Sequence, residues 1–254
     1  AMSADARFAR GDEALVALGA LEFDAGRFAE AAEAYGQLPK RFPTSRLLPL
    51  ARLNAGFALY GLKDYAAAIK WFEQARQATG QAATADYWIG VCHKSAGEYA
   101  AAVAAFGRAA GGRPDPALER EIALQWADAE LRNGNVAAAQ KRYLEVVRRW
   151  PKDQVAERSL LLAAEAALMV AVDQEDQARR KQQLDDAISL VAWFARDYPD
   201  SGLLQRHRLL EGRVLLARGR VDDRKRARDL FLKVLTESKN EAMRQRARFH
   251  FARI

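Results

Sequence analysis

Apolar positions along the chain fall at the three- and four-residue spacing of helix faces, and Gly, Pro and polar clusters interrupt them at short intervals. The pattern predicts a succession of short helices separated by tight turns. Proline ends several of them, because it disfavours helical geometry in the residue before it and has no backbone N–H to donate. Phe42-Pro43, Trp150-Pro151 and Tyr198-Pro199 are such stops, and Gly26, Gly97, Gly134 and Gly219 suit the left-handed residue that closes a helix. Ser45 and Ser201, just beyond two of the prolines, are expected to be N-caps. Residues 155–172, VAERSLLLAAEAALMVAV, form a long apolar helix. Its partner, with Leu184, Ala187, Val191 and Phe194, comes late, after an intervening QEDQARRKQQ that is charged on all sides. That stretch is either an insertion or a helical extension into solvent.

The same residue types return at a fixed period. Leu15, Leu18-Gly19, Gly26, Ala31, Tyr35, Leu38 and Pro43 make a first copy, and Gly56, Tyr65, Ala68, Phe72 and Ala75 a second. A third has Ile89-Gly90, Gly97, Tyr99, Ala102, Phe106, Ala109 and Pro114, and a fourth Trp126-Ala127, Gly134, Ala139, Tyr143, Val146 and Pro151. A small residue belongs where two helix backbones nearly touch, and an aromatic ring fills the gap beside it. With first positions at Asp12, Pro49, Ala83 and Arg120, the steps are 37, 34 and 37 residues. The three extra residues are expected to lengthen turns between hairpins. Gly212, Leu216, Gly219, Ala227, Phe231 and Val234 form a later copy, and residues 239–254 look like one more first helix.

These residues resemble the tetratricopeptide repeat family over about residues 12–254. The resemblance implies an all-α fold, a right-handed α-solenoid of tandem helical hairpins. It would be a single superhelix of about six repeats near 12–45, 49–82, 83–116, 120–153, 155–199 and 205–238, with an insertion at 173–182 and a terminal helix at 239–254. The pieces YGQLPKRFPTSRLL, RYLEVVRRWPKD and AWFARDYPDSGLL resemble repeats of bacterial envelope proteins similar to the BamD outer-membrane assembly lipoprotein and the Tol-Pal accessory protein. This implies a scaffold in or near the periplasm, with the cytoplasm as the alternative compartment.

The family commonly holds a peptide or partner helix in a concave groove lined by first helices. Its groove positions carry over to Val16, Ala20 and Phe23, then Leu53, Phe57 and Tyr60, then Tyr87, Val91 and Lys94, then Leu124, Asp128, Leu131 and Arg132. Arg206, Leu209 and Arg213 follow near the end. Members that bind chaperone tails hold a terminal carboxylate with Lys and Asn in their first repeats. Val16 and Ala20 stand there instead, so that activity is not expected. Tyr87 is the ring expected to be most exposed, because Trp88 and Ile89 beside it are placed for burial. The alternative for Phe57, Tyr60 and Tyr87 is packing within and between helices.

Composition narrows the function classes. Half of the residues are apolar and 29% charged, with only 16 Gly and 7 Pro, which is the profile of an ordered helical protein. No run of about 18 apolar residues occurs, so no span of a bilayer is expected. Ala1-Met2 has the look of a cloning remnant, and the sequence stops inside a helical pattern at Phe251–Ile254, so a fragment is expected. Cys92 stands alone and cannot form an internal disulfide. Charge is uneven: residues 1–200 carry 25 basic and 27 acidic side chains, a net of −2, and residues 201–254 carry 15 and 6, a net of +9.

The arginines Arg206, Arg208, Arg213, Arg218, Arg220, Arg224, Arg226 and Arg228 suit an acidic partner, or else are a solvated helix face. Nucleic acid is disfavoured, because that end offers only Phe231, Phe249 and Phe251 for stacking, and Phe231 belongs to the repeat core. Cys92 and His93 point about 100° apart on one helix and cannot act as a nucleophile and base. His207 and His250 are expected to be structural or solvated, and Glu119, Glu121 and Asp128 lack metal-ligand spacing. No catalytic residue, metal or cofactor is expected. The leading expectation is a non-catalytic scaffold that docks a partner protein or peptide. An electrostatic tether for an acidic polymer, anionic lipid or nucleic acid is the alternative, and a docking arm of a larger enzyme is another.

Overall fold

The computed structural model describes residues 10–254, and Ala1 and Met2 lie outside them. Thirteen helices follow one another among the described residues, with no strand. They are α1 (Gly11–Asp24), α2 (Phe28–Arg41), α3 (Leu48–Gly61), α4 (Tyr65–Ala75), α5 (Ala82–Ser95), α6 (Tyr99–Gly111) and α7 (Pro116–Arg132). Then come α8 (Val136–Arg149), α9 (Gln154–Asp173), α10 (Gln177–Asp197), α11 (Leu204–Arg218), α12 (Val221–Glu237) and α13 (Glu241–Phe251). They fall into two compact units, one up to Ala129 and one from Glu130 to Ile254.

In the first unit each of α1 to α5 packs on the next, α5 packs on α6, and α1 also touches α3. A glycine on a first helix lies against the ring of a second helix. A Cβ added at Gly19 would stand 2.7 Å from Tyr35, at Gly56 2.5 Å from Phe72, and at Gly90 2.7 Å from Phe106. No methyl group fits at such distances, so the small residue and the ring specify each other. The three rings are almost fully buried, together with Ala31, Ala68, Ala102 and Ala109. Ile122 and Ala129 of α7 complete the cluster around Phe106.

The second unit repeats the scheme from α8 to α13, with α9 touching α11 and α11 touching α13. Gly212 lies under Phe231 with a would-be Cβ at 2.6 Å. Tyr143, Phe194 and Phe231 are fully buried.

Turns follow a common form. The N–H groups of Arg27, Asp64, Glu98 and Asn135 each donate to the carbonyl five residues back, and the residue before each has positive φ. That is the 6→1 hydrogen bond of a Schellman closure. Gly26, Gly97 and Gly134 supply the positive φ, and in the second hairpin Lys63 does so at 63°. Phe42, Trp150 and Tyr198, the residues before proline, share φ near −130° and ψ between 53° and 65°, which ends α2, α8 and α10.

Two expectations are corrected and one open alternative is resolved. The extra residues in the long repeat steps extend helices: α2 has 14 residues against 11 in α4, and α7 begins at Pro116, four residues before Arg120. Residues 177–182 are helical extension, since α9 and α10 run 20 and 21 residues and are joined by a three-residue turn, 174–176. Ser45 and Ser201 are not N-caps. The Ser45 hydroxyl accepts the N–H of Leu47 at 3.1 Å and donates to Asp12 at 2.6 Å, and Ser201 accepts from Leu203 at 3.0 Å and donates to Glu157 at 2.5 Å. Each serine therefore shapes the turn ahead of a helix and ties it to the start of the preceding hairpin.

Candidate functional site

In the first unit the expected binding side chains come from α3, α5 and α7. Phe57 and Tyr60 are three apart on α3, and Tyr87, Val91 and Lys94 share one stripe of α5. Their rings are held by Trp88, which the sequence reading had assigned to burial. Trp88 lies 5.0 Å from Phe57, 5.5 Å from Tyr60, 5.5 Å from Tyr87 and 6.2 Å from Phe72 between ring centroids. Phe57 also tilts against Phe72 at 5.4 Å, and Tyr87 against Phe106 at 6.0 Å. Phe57, Tyr60, Tyr87 and Trp88 are all half-buried. Packing and exposure are thus combined in the same side chains. Each such ring contact contributes about 0.5–1.5 kcal/mol beyond area burial, which fixes the rings before any partner arrives.

The polar ends of this face are oriented as well. The Tyr60 hydroxyl is 3.4 Å from the Ser95 hydroxyl, and the Lys94 ammonium donates to the Gln125 side-chain carbonyl. Burial, then the charges of Glu121 and Tyr60, push the Tyr87 phenol up to about 12, so it stays a neutral hydrogen-bonding group. Val91 packs beside Phe106, and Leu124 is buried in the core. Asp128 is half-buried on α7.

In the second unit Arg132 is exposed at the end of α7. Arg206 and Arg213 converge on one carboxylate, Glu165, at 3.3 and 3.2 Å. Most of the arginine-rich end is paired in the same way. Arg208 meets Glu237, Arg226 meets Glu211, and Arg218 forks onto Asp223 with bonds of 2.6 and 2.7 Å. Arg220 reaches Asp185 at 3.8 Å and Arg228 reaches Asp229 at 3.9 Å. Of these carboxylates only Glu165 and Asp185 come from outside residues 201–254 and offset part of that stretch's net +9, the other pairs being already counted in it.

Cys92 is fully buried and its thiol is pushed up to about 12 by burial alone, so it is not a thiolate nucleophile. His93 Nδ1 faces Glu98 at 2.6 Å. His207 is buried, stacked on Phe194 at 4.9 Å, with Nε2 against the Val191 carbonyl at 2.8 Å. No group of three His, Cys, Asp or Glu that could hold a metal occurs among the described residues, and no described helix is long and apolar enough to cross a membrane.

Comparison with known proteins agrees with this architecture. The family model described as tetratricopeptide repeat matches residues 16–83 and 124–170. No curated protein matches the chain. Among solved structures, YrrB, "a TPR protein with an unusual peptide-binding site", is 15% identical with a TM-score of 0.59, covering 86% of this chain and 99% of its own. A MamA protein is 16% identical with a TM-score of 0.58, covering 74% of this chain and 92% of its own. A tetratricopeptide repeat protein from Parabacteroides merdae is 14% identical with a TM-score of 0.54, covering 95% and 99%. At these identities the likeness is one of fold.

Proposed function

This chain is a tetratricopeptide repeat protein, and on that premise we propose that it is a non-catalytic scaffold whose first unit docks a partner protein or peptide on α3 and α5. The observation that carries this reading is the set of half-buried rings, Phe57, Tyr60, Tyr87 and Trp88, locked together by mutual contacts. Aromatic side chains that are already ordered concentrate binding energy, because little side-chain entropy remains to be lost. Lys94 and Ser95 at the edge add oriented polar groups that fix register. Peptide binding by YrrB, a protein of similar fold, fits the same use of the scaffold. We place the work of the scaffold in the bacterial envelope, on the aromatic-Pro steps at Phe42, Trp150 and Tyr198. Recovery of the native protein solely in the cytosolic fraction would contradict that placement.

The test begins with capture of partners from the native host at two salt concentrations. A partner held by this face should persist at the higher salt, since apolar contact is little screened. The double variant Tyr60→Ala/Tyr87→Ala should then bind the purified partner about 100-fold more weakly, as two truncated hot-spot rings imply, with helix content unchanged by circular dichroism. Unchanged affinity in that variant refutes the docking face.

A further inference from the structure

The second unit contains an open cavity of about 640 Å³ lined by both apolar and cationic groups. Its apolar lining includes Met169 and Val172 near the end of α9 and Leu216 on α11. Met169 is 40% exposed and Val172 53%, an unusual position for large apolar side chains inside a concavity. Guanidiniums of Arg180, Arg213, Arg224 and Arg253 line the same cavity, and Asp173 is the single acidic side chain in that lining. Arg213 is already engaged with Glu165, and Arg253 lies over the Phe249 ring at 5.3 Å. Arg180 and Arg224 have no carboxylate within ion-pair distance among the described residues. They thus differ from the seven neighbouring arginines whose partners fold back on them. His250, stacked on Phe231 at 5.5 Å, also faces the cavity. Burial, then the charges of Arg213 and Arg253, hold its pKa below the usual imidazole value.

We propose that this cavity docks a segment of a partner protein in which a carboxylate side chain stands beside a bulky aliphatic one. The carboxylate is received by the lining guanidiniums, whose planar forks match it in charge and geometry, and the aliphatic group lies on Met169, Val172 and Leu216. Charge complementarity selects an acidic segment, and the apolar part of the lining selects against a purely charged one. A nucleic-acid strand fits poorly, because the lining has no Phe, Tyr or Trp to stack a base and a phosphate backbone leaves the apolar side chains uncovered. The site lies wholly in the second unit and is argued independently of the aromatic face of the first.

The test uses the full chain and a short fluorescein-labelled peptide that alternates leucine with glutamate, followed by fluorescence anisotropy. Binding is expected, with affinity about tenfold or more weaker for a leucine–glutamine peptide and for oligoglutamate. Arg180→Glu/Arg224→Glu should weaken binding by a similar or larger factor with helix content intact. Met169→Gln should weaken it several-fold and gives an independent reading should the charge variant fail to fold. The His250 ring resonances in NMR should shift on titration with the peptide. Absence of binding, equal binding of oligoglutamate or a single-stranded DNA oligonucleotide, indifference to both variants, or an unmoved His250 signal would each overturn the proposal.

Discussion

Lys63 holds a backbone conformation that three sibling turns give to glycine. Its φ of 63° stands beside 75°, 81° and 83° at Gly26, Gly97 and Gly134, and the hydrogen bonds around it are the same, with Asp64 N–H on the Leu59 carbonyl at 3.0 Å. A side chain with a Cβ is disfavoured there by contact with the neighbouring carbonyl. Lys63→Gly should therefore stabilise the first unit by about 1 kcal/mol, read as a higher urea midpoint at unchanged slope. The adjacent Asp64 keeps its own role, since its carboxylate accepts the Ala67 N–H at 3.0 Å and caps α4. A fall in midpoint would show that the lysine makes a compensating contact.

At the scale of an element, α12 begins under electrostatic control. Asp223 sits in its first turn, is 5% exposed, and receives both branches of the Arg218 guanidinium from the end of α11. That hydrogen bonding holds the Asp223 carboxyl below the usual aspartate range, outweighing burial, which acts the other way. A group whose folded pKa is depressed stabilises the fold above its unfolded pKa and ceases to do so as pH falls toward the folded value. Asp223→Asn should thus cost about 2 kcal/mol at neutral pH, and the gap between variant and parent should close below about pH 4. Denaturation curves at several pH values check this. A gap independent of pH would assign the loss to packing. The same junction explains why α12 starts sharply although Arg220, its preceding residue, offers no side-chain cap.

On the level of the whole molecule, what the sequence discloses depends on how locally each feature is determined. Gly19, Gly56, Gly90 and Gly212 announced the hairpins, because close approach to a ring is a constraint that only the smallest residue meets. The pre-proline helix ends were equally legible, being properties of adjacent residues. Ser45 and Ser201 were misjudged because a turn serine and a cap serine look alike until the carboxylate it meets, 33 or 44 residues earlier, is known. Trp88 escaped notice for the opposite reason: one ring at the junction of four others can be neither wholly inside nor wholly outside. The arginines looked open since Glu165 lies 41 and 48 positions from Arg206 and Arg213.

The seclusion of Cys92 makes the first unit self-reporting. Its sulfur can add to a maleimide only after α5 has parted from its neighbours and the thiol has regained an ordinary acidity. Alkylation of the native protein should be slower than that of free cysteine by orders of magnitude, and its rate then clocks the opening of that helix without any added label. Capture as fast as a free thiol would mean that the rings around Trp88 part from one another continually.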